Sequence, residues 1–137
     1  MEAFAPYAHA LAALAIYALL GTILIGVSTR GRDAEDRAEC GNPKRNYANP
    51  WYRAERALRN AVENTGPFIG ATIAAILVGA DPFWVNLLAS ISIAGRLAQA
   101  FVHIATTNEA LRSLFFAVAF LPVLPLGVLA LIGAFSL

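Results

Sequence analysis

Residues 113–137 read SLFFAVAFLPVLPLGVLALIGAFSL, twenty-five positions without a formal charge. About 20 apolar residues of helix cross the ~30 Å hydrocarbon core of a bilayer, so this stretch is long enough to span one. Further out along the chain the pattern repeats. Residues 3–29 and 64–80 carry no formal charge, and residues 82–105 carry only Arg96. Of 19 charged side chains, 14 fall between Arg30 and Glu63; the others are Glu2, Asp81, Arg96, Glu109 and Arg112. The whole chain of 137 residues is 58% hydrophobic and 14% charged, against ~45–50% and ~25% for soluble domains. Its mean hydropathy is +0.61. A fold this small leaves too much surface exposed to hide that share of apolar side chains, which excludes a soluble monomer. The expected fold is all-α: one integral membrane four-helix bundle over residues 1–137. Its spans lie near 7–28, 60–79, 83–105 and 112–135, with a loop over about 30–56.

Charge placement gives the expected orientation. The segment from Arg30 to Arg59 holds eight Lys or Arg, while the 79–82 turn and both termini hold none. The positive-inside rule puts that loop and the 105–112 connection in the cytoplasm, with both termini on the opposite side. Asn42-Pro43 and Asn49-Pro50 are turn signals, so an irregular loop is expected there. The first span is too long for a signal peptide, and Glu2 stands where a basic residue belongs. A net charge of +1 gives no basic excess for nucleic acid. Cys40 is the single cysteine, so no internal disulfide forms, and it reads as a solvated loop thiol. No metal site is expected, and His9 reads as an interfacial or packing residue.

Ionisable groups in a span cost about 2.5–3.5 kcal/mol each, so each needs a reason. Gly79-Ala80-Asp81-Pro82 fixes the far end of the second span, and counting back ~20 residues reaches Asn60. Arg56, Arg59, Asn60 and Glu63 then share a wedge of about 100° on one helix face. Arg96, Gln99 and His103 share a second narrow face on the third span. Glu63 and Arg96 fall at similar depth, and a structural ion pair accounts for them as well as a ligand does. Acids are scarce around Arg56, Arg59 and Arg112, because Glu55 lies off the wedge. Thr106 and Glu109 have capping-box spacing, so the fourth span starts just before Arg112. A cation there opposes the helix dipole. An external anion held by the dipole, the guanidinium and Ser113 explains it; so does snorkelling to lipid phosphates. The facing cationic clusters point to a pocket for a small multi-anionic ligand.

Arg56, Arg59-Asn60-Ala61-Val62-Glu63 and Pro67-Phe68 resemble the R-x-x-[RN]-x-x-x-E signature of the MAPEG family, the membrane-associated proteins in eicosanoid and glutathione metabolism. Asp81-Pro82-Phe83, Gly95-Arg96 and Arg112-Ser113 follow at the spacings of the family's prostaglandin E synthase. The resemblance implies a four-helix protomer in a homotrimer, with glutathione as co-substrate between protomers near the cytoplasmic face. It implies that Arg56, Arg59, Asn60 and Glu63 hold the carboxylates and amine of glutathione, that Arg30 contributes from the end of span one, and that Arg112 stabilises the thiolate with help from Ser113. Gln99 and His103 stand where the family often carries histidine or tyrosine and then tyrosine. Phe116 replaces an aromatic hydroxyl, and the loop acid of isomerisation has no aligned counterpart, Asp33 and Asp36 included. Prostaglandin isomerisation is therefore disfavoured.

The resemblance implies a glutathione-dependent transferase or peroxidase acting on lipophilic electrophiles dissolved among membrane lipids. The alternative is a non-catalytic lipid-binding member. A small channel is disfavoured, because no polar residue crosses the outer half of the membrane. The resemblance implies a bacterial inner membrane or an endoplasmic reticulum location, according to source.

Overall fold

The structure, a computed structural model, describes residues 2–30 and 34–136. A 3₁₀ turn over Glu2–Tyr7 leads into α1 (Ala8–Ser28), followed by α2 (Pro50–Leu77), α3 (Pro82–Ala105), α4 (Glu109–Phe120) and α5 (Val123–Ala134). Three continuous helical stretches are long and apolar enough to cross a membrane: Glu2–Ser28, Pro82–Ala105 and Glu109–Ala134. The α2 helix is not among them, because Arg53, Glu55, Arg56, Arg59, Asn60, Glu63 and Asn64 crowd its first half.

Boundaries differ from the sequence reading in three places. The α2 helix begins at Pro50, so residues 50–56 are helix rather than loop. Asn49-Pro50 acts as a start signal: Asn49 caps the helix, accepting from the Trp51 amide at 2.8 Å, and Pro50 fits a position needing no N–H. The preceding loop is not wholly irregular. A tight antiparallel bridge joins Arg37 and Pro43, with Ala38 N–H donating to Asn42 and the turn at Gly41, whose φ is +80°. Asp36 lies in this ordered part, where its Oδ2 accepts from Asn49 Nδ2 at 3.0 Å; Asp33 lies outside the described residues. The fourth span is divided into α4 and α5 at Leu121–Pro122. Pro122 has no N–H for the Val118 carbonyl four residues back.

The α2–α3 turn follows its sequence signal. Gly79 takes φ +69°, its amide bonds Ile76 and the Ala80 amide bonds Ala75, which is a Schellman ending. Asp81 then caps α3 and Pro82 opens it. On α3, Asn86 pins the first helix from both ends of its amide: Nδ2 donates to Pro6 at 2.7 Å, and Oδ1 accepts from the Ala10 amide at 2.9 Å.

The interior is built from small residues flanking a few large ones. Ala10, Ala13, Ala75, Ala89 and Ala130 are buried beside Tyr17, Phe68, Val85 and Leu126. A second cluster near the loop joins Leu20, Leu24, Ala57, Ala61 and Ala100. Small side chains let helix backbones approach closely where lipid provides no hydrophobic drive. The α3 and α4 backbones approach closely, and a Cβ on Gly95 would lie 2.7 Å from the Ala119 nitrogen. Beside it Ser92 Oγ donates to the Ala119 carbonyl at 2.6 Å. The outside is apolar, with Leu19, Ile23, Leu77, Phe101, Leu131 and Phe135 all exposed.

Candidate functional site

The loop end of the bundle carries the ionisable groups. On α2 the inward face runs through Ala57, Ala61, Asn64 and Phe68, all buried. Glu63 is two residues from Ala61, about 200° around the helix, and is exposed. The proposed pairing of Glu63 with Arg96 is therefore not formed: one points away from the bundle and the other is at its centre. Arg96 is only 2% exposed. Its Nη1 donates to Gln99 Oε1 at 3.5 Å and Phe116 lies 5.7 Å beneath its guanidinium carbon. Gln99 Nε2 in turn meets His103 Nδ1 at 3.1 Å. The expected polar face of α3 is thus a chain of three side chains inside the protomer.

Arg59 also corrects the sequence reading. It bonds Glu55 one turn earlier on α2, the one ion pair among the described residues. An acid four residues before a base on a helix is the favourable order. Glu55 lies off the polar wedge, yet it is within reach of Arg59. Arg56 is half-buried, and its carbonyl accepts from Asn60 Nδ2 at 3.1 Å. Arg30 is exposed just past the end of α1.

The helix carrying Arg112 is capped differently from expectation. Asn108 is the N-cap, its Oδ1 accepting from the Leu111 amide at 3.0 Å. Thr106 closes α3 instead, donating to Val102 at 2.9 Å. The helix thus starts at Glu109, which still leaves Arg112 in the first turn, where the dipole repels a cation. A cavity of ≈ 250 Å³ opens in front of it, lined by Asn60, Gln99, His103 and Glu109 with Arg112, Ser113 and Phe116. Arg112 Nη1 and His103 Nε2 are buried and, among the described residues, have no hydrogen-bond partner. Among the described residues no acid bonds Arg112, although Glu109 shares the cavity wall. Arg53 and Arg56 add their charges to that of Arg112 around His103. An anion entering the cavity would find donors and positive potential already arranged.

The structure divides the predicted set. Asn60, Gln99, His103, Arg112 and Ser113 share this cavity. Arg59 and Glu63 line a different one of ≈ 450 Å³ with Asn42 and Glu55. Two side chains escaped the sequence reading. Tyr47 lies with its ring 4.6 Å from the Arg112 guanidinium carbon. Arg53 reaches from α2 to the carbonyls of Tyr47, Ala48 and Ile104. The aromatic grouping of Tyr47, Trp51 and Tyr52 was the available signal, but a loop residue has no helical phase to show what it faces.

An apolar helical exterior around a polar cavity lined by Arg112 defines the class: an integral membrane protein with a polar cavity at one end of its helices. The profile of the MAPEG family matches residues 5–132, nearly the whole chain, and the chain belongs to that family. A search of curated proteins finds no match.

Proposed function

We propose that this protein is a membrane-bound, glutathione-dependent transferase with peroxidase capacity. The observation that carries the reading is Arg112: a first-turn guanidinium lining a polar cavity, with a buried Nη1 that has no hydrogen-bond partner among the described residues. Such a group stabilises a small anion at the helix N-terminus. A thiol of pKa ~8.5 is mostly protonated at neutral pH, and a guanidinium beside a helix N-terminus lowers that value. The glutathione thiol would lose its proton to solvent and the thiolate would sit against Arg112 and Ser113. Attack on a lipophilic carbon then forms the C–S bond and expels the leaving group with its electron pair. With a lipid hydroperoxide the thiolate takes the distal oxygen, leaving an alcohol and a sulfenic acid, which a second glutathione converts to disulfide and water.

The ≈ 250 Å³ cavity is below the ~300–1,000 Å³ of ordinary ligand sites. It fits the sulfur end of a tripeptide and not the whole. Arg59 and Glu63 lie on the outward face of α2 and line the second cavity with Asn42. In our reading a second copy brings these two half-sites together, in a homotrimer, so that Arg56, Arg59, Asn60 and Glu63 hold the carboxylates and amine. Gln99 and His103 line the thiol end. Arg30 has no role in the protomer's own site. The site faces the cytoplasm, where the basic loop lies, and the termini face the other side.

The competing reading, a lipid-binding protein without catalysis, draws on an apolar groove of ≈ 740 Å³ between α2 and α5. Conjugation of glutathione to a chloronitrobenzene separates the two. The catalytic reading predicts turnover by the wild type and loss in Arg112→Ala. Absence of turnover, with lipid binding intact, supports the alternative.

A further inference from the structure

Tyr47 stands just ahead of the α2 cap, and its ring has three neighbours. The Arg112 guanidinium carbon is 4.6 Å from its centroid, inside the ~6 Å reach of cation–π attraction. The His103 ring stacks with it at 6.3 Å, and Tyr52 meets it edge-on at 5.2 Å. The backbone beneath is fixed by one α2 side chain. Arg53 Nη1 donates to Tyr47 at 2.6 Å and Ala48 at 3.0 Å, while its Nε donates to Ile104 at the end of α3 at 2.9 Å. Arg112 itself is a long side chain that, among the described residues, no acid or carbonyl holds. The Tyr47 ring is therefore what fixes the plane of its guanidinium.

We propose that Tyr47 is a positioning residue of this site: its ring covers the Arg112 guanidinium and fixes its orientation beside the cavity. The inference rests on the glutathione reading and deepens it, adding a loop residue that sets how well Arg112 receives the thiolate. The ring matters and the hydroxyl does not, because the attraction comes from the negative face of the π system. His103 from α3 and Glu109 from α4 line the cavity with Arg112, Arg53 and Arg56 from α2 act on His103 beside it, and a change confined to position 47 leaves their charges in place.

The test is a pH titration of thiolate absorbance, using the full chain in detergent with saturating glutathione. Tyr47→Phe is expected to keep the wild-type midpoint. Tyr47→Leu is expected to raise it by about one unit, a tenfold change in proton affinity, with the KM for the lipophilic electrophile unchanged. A ring-fluorinated phenylalanine at position 47 keeps the shape but removes the negative face; it is expected to behave as Leu. This variant decides the matter if Tyr47→Leu does not fold. Midpoints that stay at the wild-type value in both ring-deficient variants overturn the inference. So does a Tyr47→Phe midpoint raised as far as that of Leu. No thiolate signal in the wild type overturns the functional reading and this inference with it.

Discussion

Arg112 combines two features that oppose stability, a cation at a helix N-terminus and a buried donor with no partner among the described residues. Both are relieved by an anion. Removing a donor that stabilises developing charge costs about 10²–10³ in kcat, and Arg112→Ala is expected to lose at least that much in chloronitrobenzene conjugation. Arg112→Lys should recover only a fraction, since an ammonium lacks the planar fork. Glu63 tests the corrected pairing. It is exposed and unattached to Arg96, so Glu63→Ala is expected to change unfolding stability by under about 1 kcal/mol while weakening glutathione affinity. A large loss of stability in detergent would restore the buried-pair account. At this scale the sequence placed Asn60 on one polar helix face, Gln99 and His103 on a second and Arg112 with Ser113 at the start of the fourth span, because helical phase and the scarcity of acids are both visible there. It paired Glu63 with Arg96, and it left Arg59 without the Glu55 partner the structure gives it. The polar wedge has a direction, but phase alone does not say whether that direction is inward.

The elements owe their positions to a few side chains. Asn86 satisfies the first free amide of α1 and the Pro6 carbonyl together. Asn86→Ala leaves both without their partner, and is expected to cost about 1–3 kcal/mol in thermal unfolding, most visibly as fraying of the N-terminal segment. Gly95 controls how near α4 comes to α3. Gly95→Ala would place a methyl 2.7 Å from one backbone atom and 2.9 Å from another. Neither can move as a flexible side chain would, so a loss of about 1–3 kcal/mol is expected. Because α4 carries Arg112, thiolate formation should fall in parallel. Preserved activity with lowered stability would show that the α3–α4 spacing does not set the site. Four helical runs and the Gly79 turn were legible from charge-free length and turn chemistry. The division at Pro122 was not, since the apolar run continues across it, nor was the early start of α2, where charges concealed a helix beginning at a cap.

Seen whole, the protomer presents an apolar surface with polar cavities at one end and Arg59 and Glu63 on the outside of α2. The proposal that the two cavities are half-sites joined between copies predicts complementation. A mixture of Arg112→Ala chains with chains carrying both Arg59→Ala and Glu63→Ala is expected to regain turnover when co-assembled, because one interface in such an oligomer joins two intact halves. Failure to regain any turnover places the complete site within a single chain. The sequence could not decide this alone, as it shows faces but not which copy supplies them. The most direct test of the central claim is the near-ultraviolet absorbance change on adding glutathione to purified protein at neutral pH. The account predicts a thiolate signal that saturates in the wild type and is absent in Arg112→Ala. A signal of equal size in both, or none in the wild type, would contradict it.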